Sequence, residues 1–152
     1  MQILIIDGQG GGIGKTLIEQ IKAANLEVTI MAVGTNAMAT SALLKAGADA
    51  AATGENAVIF NAGRAELIIG PLGLISANAL MGEITPAMAS AVSASEAMKI
   101  LLPTQRCSIR IGGYRSKPLA AQVKDAVEDL RSYLNTLSDG HRYPPSPPCQ
   151  ST

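Results

Sequence analysis

Five of the ten residues in Asp7-Gly8-Gln9-Gly10-Gly11-Gly12-Ile13-Gly14-Lys15-Thr16 are glycine. The segment follows an apolar run and precedes a stretch with helical spacing, so it reads as the turn from a strand into a helix. Glycine there lets the chain turn tightly and brings main-chain N–H groups close to a phosphate, which also feels the positive end of the helix dipole. A side chain at Gly10 or Gly12 would block that approach. The chemistry expected of residues 7–16 is therefore the binding of a phosphorylated nucleotide-like ligand, NAD(P) among the candidates. Asp7, Gly8, Gln9, Gly10, Gly11, Gly12, Ile13, Gly14, Lys15 and Thr16 are the expected binding residues.

The spacing narrows the options. Gly-x-Gly-x-x-Gly is not matched, because the residues three beyond Gly10 and Gly12 are Ile13 and Lys15. Gly8, Gly12 and Gly14 do reproduce the Gly-x-x-x-Gly-x-Gly spacing, which resembles the cofactor turn of short-chain dehydrogenases. That family's Tyr-x-x-x-Lys pair is missing, and Gly34-Thr35-Asn36 stands where a ribose-binding Asp or Glu would end the second strand. Thr35 and Asn36 are expected to donate to a ribose or a second phosphate instead. Gly14-Lys15-Thr16 is also similar to the end of the deviant loop of partitioning ATPases. A Walker loop needs glycine where Gln9 stands, and no strand after the first ends in the acidic residue that magnesium would require.

Further candidates come from the other loops. Asp7 either serves the ligand or hydrogen-bonds the turn's own amides. Gly34, Gly70, Pro71 and Arg106 join the expected binding set, with Arg106 a clamp for phosphate or carboxylate. Asn78 and Glu83 lie in apolar surroundings, and with Cys107 they are the candidates for handling protons. Glu83 has an alternative as a turn residue ahead of Thr85. The only histidine, His141, sits in the tail, which disfavours a Cys-His or Ser-His hydrolase. Clustered metal ligands are absent from the sequence, so no metal is expected.

The elements that must position these residues alternate. Residues 2–7 read as a strand buried on both faces, and 13–24 as an amphipathic helix. Strands are expected at 28–33, 49–53, 67–69, 99–102 and 108–111. Between them lie helices capped by Thr35 or Asn36 and stopped by Gly47, spanning 54–62 and ended by Gly63, and opened by Thr85-Pro86. A last helix opens at Pro118, with Leu119, Val123, Val127, Leu130 and Leu134 on its apolar face. The predicted fold is α/β, a Rossmann-like, open, mostly parallel sheet of about five strands with helices on both faces. One domain is expected over residues 1–137, followed by a disordered proline-rich tail over 138–152.

Composition excludes much else. Twelve basic residues balance twelve acidic ones, so no overall field draws nucleic acid, and 3% aromatics offer no stacking platform. Two distant cysteines, Cys107 and Cys149, give no disulfide framework, and no signal peptide is evident, which together imply a cytoplasmic protein. The uncharged stretches 28–44 and 67–82 are shorter than the roughly 20 residues of a membrane span and are broken by Gly, Asn, Thr or Pro. The expected partners are thus a small phosphorylated ligand and, on base rates, a second copy in a homodimer, with neither nucleic acid nor membrane.

The glycine turn, Gly34-Thr35-Asn36-Ala37, Ala52-Thr53-Gly54-Glu55-Asn56-Ala57, Gly70-Pro71-Leu72-Gly73, Gly82-Glu83-Ile84-Thr85-Pro86 and Arg106-Cys107 occur together and in order. In this the chain resembles an uncharacterised family of small bacterial proteins, domain of unknown function 3842, over about residues 1–134. The resemblance implies a Rossmann-like fold and a pocket shared by these loops, and assigns no reaction. Three functions follow from the sequence: a nucleotide-binding module; a small NAD(P)-dependent oxidoreductase or transferase; and a non-catalytic oligomeric scaffold suggested by Ala- and Met-rich surfaces.

Overall fold

The computed structural model describes residues 1–104 and 109–140. Its elements alternate: β1 (Gln2–Asp7), α1 (Gly12–Ala23), β2 (Thr29–Gly34), α2 (Ala37–Lys45), β3 (Ala50–Thr53), α3 (Glu55–Ala62), β4 (Leu67–Pro71), a short 3-10 turn (Leu72–Ile75), α4 (Pro86–Ala94), β5 (Met98–Leu102) and α5 (Leu119–Ser138). All strand pairs are parallel, in the order β3-β2-β1-β4-β5. The register pairs Asp7 with Gly34 and Gly34 with Thr53, so the carboxyl ends of β1, β2 and β3 finish level.

Side-chain alternation along β1 divides the core into two layers. Ile3 and Ile5 face one layer with Leu17, Ile18 and Ile21 of α1, Leu43 of α2, and Val123, Val127 and Leu130 of α5. Leu4 and Ile6 face the other, with Val58 and Ala62 of α3 and Met88 and Val92 of α4. This double burial is why β1 reads as an unbroken apolar run. Helices α1, α2 and α5 therefore cover one face, and α3 and α4 the other. Between β1 and β4 the connections leave to opposite faces, and their divergence opens a crevice beyond the carboxyl ends of the strands.

Helix ends follow local chemistry. Asn36 caps α2 by accepting from the Ala39 amide at 2.9 Å, and Thr85 caps α4 by accepting from the Met88 amide at 3.1 Å, with Pro86 in the first turn. The strand expected at 108–111 is not formed in its described part. Residues 109–111 pair with no strand, and Ile109 and Ile111 are exposed, so their alternation meets no neighbouring edge. Residue 108 lies outside the described residues, as does the tail from 141 onward. Among the described residues no helix is long and apolar enough to cross a membrane.

Candidate functional site

The glycine turn stands at the crevice, but most of its amides are already engaged. Asp7 is 3% exposed, and its carboxylate accepts from the Gly8 amide at 2.8 Å and the Gly14 amide at 2.7 Å. Of the two readings of Asp7 from sequence, the structure therefore has the one in which it binds the turn's own N–H groups. It thus occupies the innermost anion position at the start of α1. Burial drives its pKa up, the amides of Gly14, Gly8 and Ile13 draw it down, and the nearby Glu83 charge adds to the rise; the net direction is upward. The Gly11 amide donates to the Gly8 carbonyl at 2.9 Å, and the Gln9 amide to Glu83 at 2.8 Å.

Two amides remain. Those of Gly10 and Gly12 make no hydrogen bond among the described residues, and a Cβ added at either glycine meets nothing within 4 Å. Gly11 and Gly14 are glycines for another reason. Gly11 has φ +72°, and a Cβ at Gly14 would lie 2.4 Å from Leu43 Cδ2, so these two fit α1 against α2 and β1. The uniform cradle expected over residues 7–16 thus narrows to its outer rim.

Glu83 ties three loops together. Its Oε2 accepts from the Gln9 amide, from Asn36 Nδ2 at 3.1 Å and from the Thr35 hydroxyl, while Asn36 Nδ2 also donates to the Gln9 carbonyl at 2.9 Å. A carboxylate thus reaches the end of β2 from the loop after β4. The donors of Thr35 and Asn36, expected to face a ribose or phosphate, are spent on it. Burial raises the Glu83 pKa, but the hydrogen bonds from Gln9, Thr35 and Asn36 outweigh it and the net shift is down. The carboxyl group stays ionised, which removes the basis for Glu83 as a proton donor near neutral pH.

Other expected site residues lie elsewhere. Lys15 is exposed and faces Glu19 on its own helix at 3.9 Å, and the Thr16 hydroxyl donates back to the Gly12 carbonyl at 2.9 Å. Gly34 is glycine because a Cβ would lie 2.3 Å from the Thr40 amide, and Gly70 because one would lie 2.4 Å from the Ile6 carbonyl oxygen; Pro71 is buried at the end of β4. These are packing requirements of the sheet. Asn78 is exposed at φ +64°, its amide held by the Ile84 carbonyl at 2.7 Å, and it does not border the cleft. Arg106 and Cys107 lie outside the described residues.

The cleft itself has a volume of about 670 Å³. Asp7, Gly8, Gln9, Gly10, Gly12 and Ile13 form one wall, Leu80 contributes from the loop after β4, and Thr104 with residues 116–119 and Gln122 forms the opposite wall. The second wall was not singled out by sequence. Its signal was present in α5, where Gln122 occupies a position in the buried stripe beside Val123, Ala126, Val127 and Leu130. Among the described residues no group of three or more His, Cys, Asp or Glu is placed to hold a metal ion.

A parallel sheet in the order 3-2-1-4-5, with a glycine turn opening on the crevice between diverging connections, defines a Rossmann-like α/β protein. The chain belongs to the family described as domain of unknown function (DUF3842), whose model matches residues 2–135. No curated protein matches the chain. Among solved structures it is similar to a dodecameric FMN-dependent UbiX-like decarboxylase from Escherichia coli O157:H7, at 16% identity and a TM-score of 0.44, covering 86% of this chain and 77% of that one.

Proposed function

We propose that the chain binds a small phosphorylated, nucleotide-like ligand in the cleft, with a phosphate against the outer rim of the glycine turn. One observation carries the reading: the unpartnered amides of Gly10 and Gly12 border a cleft of about 670 Å³ at the start of α1. That volume lies within the range of sites for small molecules and cofactors. Leu80, Ile13, Pro118 and Leu119 supply apolar wall, and the helix dipole favours negative charge at the rim. The buried Asp7 carboxylate opposes it, and the Gly8 and Gly14 amides that donate to Asp7 offset part of that charge.

No reaction is assigned. Of the groups expected from sequence to handle protons, Glu83 is held by donors from Gln9, Thr35 and Asn36, and Asn78 does not border the cleft.

Titration calorimetry with NAD, NADP, ATP, GTP, FMN and coenzyme A tests the reading. At least one should give saturable heat, and Gly12→Val should weaken its binding by about ten-fold or more, because a branched side chain fills the approach to the amides. The fold should survive, since nothing lies within 4 Å of the new Cβ. Absence of binding to every member of the panel rejects the proposal.

A further inference from the structure

The wall opposite the glycine turn carries polar groups that nothing in the described protein satisfies. Gln122 is 7% exposed, and its Nε2 donates to the Lys117 carbonyl at 2.8 Å. Only the amide nitrogen can make that bond, which orients the side chain and leaves Oε1 as the free end. Oε1 is buried and has no hydrogen-bond partner; the same holds for the Thr104 hydroxyl, and both residues border the cleft. A buried acceptor without a donor costs stability, so one retained at a cleft wall points to a partner that arrives with a ligand.

The start of α5 adds to this. Pro118 caps the helix with no side-chain hydrogen bond, and the Ala121 and Gln122 amides turn back to the Pro118 carbonyl. Leu119, in the first turn, borders the same space as Gly12 of α1. Two helices thus begin on one cleft, the first with free amides and the second with an acceptor pair beside it.

We infer that Gln122 Oε1 and Thr104 Oγ1 receive an N–H or O–H donor of the bound molecule, so that the ligand spans the cleft with its phosphate on Gly10 and Gly12 and a donor-bearing ring or sugar against α5. This rests on the phosphate reading above and adds the chemistry at the other end. An inorganic phosphate engages one wall only. A nucleoside engages the other wall only, and a nucleotide engages both.

Calorimetry on the full chain separates the walls with four probes: inorganic pyrophosphate, ribose 5-phosphate, the nucleosides adenosine and guanosine, and the nucleotides ATP and GTP. Gln122→Met and Thr104→Val should each weaken nucleosides and nucleotides by about ten-fold or more, as expected when a donor loses its acceptor, and leave pyrophosphate within about two-fold. Gly12→Val should do the reverse, weakening pyrophosphate and sparing the nucleosides. Ribose 5-phosphate, which offers hydroxyls and no N–H, identifies the donor: weakened binding in Gln122→Met assigns a hydroxyl, and unchanged binding an N–H. Thr104→Val lies outside α5 and carries the comparison if Gln122→Met does not fold. Nucleotide binding equal to wild type in both variants overturns the inference while leaving the phosphate reading intact, as does a wild type that binds pyrophosphate but neither nucleosides nor nucleotides. Nucleoside binding lost in Gln122→Met by a protein indifferent to pyrophosphate keeps the contact at α5 but overturns both the phosphate reading and a ligand that spans the cleft. A wild type that binds none of the probes overturns both.

Discussion

Two carboxylates bonded to the same turn are driven in opposite directions by their surroundings. Asp7 is so enclosed that loss of water outweighs its amide donors, whereas half-buried Glu83 gains more from three donors than it loses from burial. The consequences for stability have opposite signs. Glu83, with a lowered pKa, contributes stability that is present above its unfolded value of about 4.5 and is lost as pH falls through the lower folded value. Asp7, with a raised pKa, contributes stability that is present below about 3.8 and is lost as pH rises through the higher folded value. Urea unfolding across pH 3 to 7 should therefore show that Glu83→Gln flattens the loss of stability below pH 4.5. A variant with the wild-type acid slope would mean that Glu83 does not clamp the loops in solution.

At the scale of the element, two caps look alike in sequence and differ in what they hold. Thr85 satisfies only the start of α4, so Thr85→Ala should cost about 1 kcal/mol, the usual loss for such a cap. Asn36 caps α2 and also donates to the Gln9 carbonyl and to Glu83, so Asn36→Ala removes a cap and two inter-loop bonds. Its cost should exceed that of Thr85→Ala, by about 1 kcal/mol for loss of those bonds. Urea midpoints compare the two directly, and equal costs would show that the loop network contributes nothing beyond capping.

Across the whole molecule, the central strand is covered on both faces, and this sets the pattern of core sensitivity. Leu4 and Ile5 are neighbours in sequence, face opposite layers, and are at most 1% exposed. In a sheet wet on one side one of them would be replaceable at little cost. Here Leu4→Ala and Ile5→Ala should each destabilise by about 2–5 kcal/mol, a large share of the roughly 5–15 kcal/mol available to a domain. Chemical denaturation of the two variants checks this; a small loss in either would mean that its layer is not closed in solution.

The amino-acid sequence by itself determined the alternation of elements, because each depends on short-range physics: apolar runs leading into glycine for β1 and β4, helical spacing in α1 and α5, and side-chain caps at Thr35 or Asn36 and at Thr85. It also placed the glycine turn between the first strand and helix. It misread Ile109-Arg110-Ile111 as a strand, since alternation is local but a strand needs a neighbour that the local residues do not name. The sorting of the turn's amides was decided only in three dimensions. Glu83 meets Gln9 from 74 residues away and Asn36 from 47, so tertiary contact alone fixed which donors were spent and which were left open. The second wall followed the same rule: a glutamine in an apolar helical stripe was legible, but it borders the same cleft as the glycine turn only because α5 returns to the face that α1 covers.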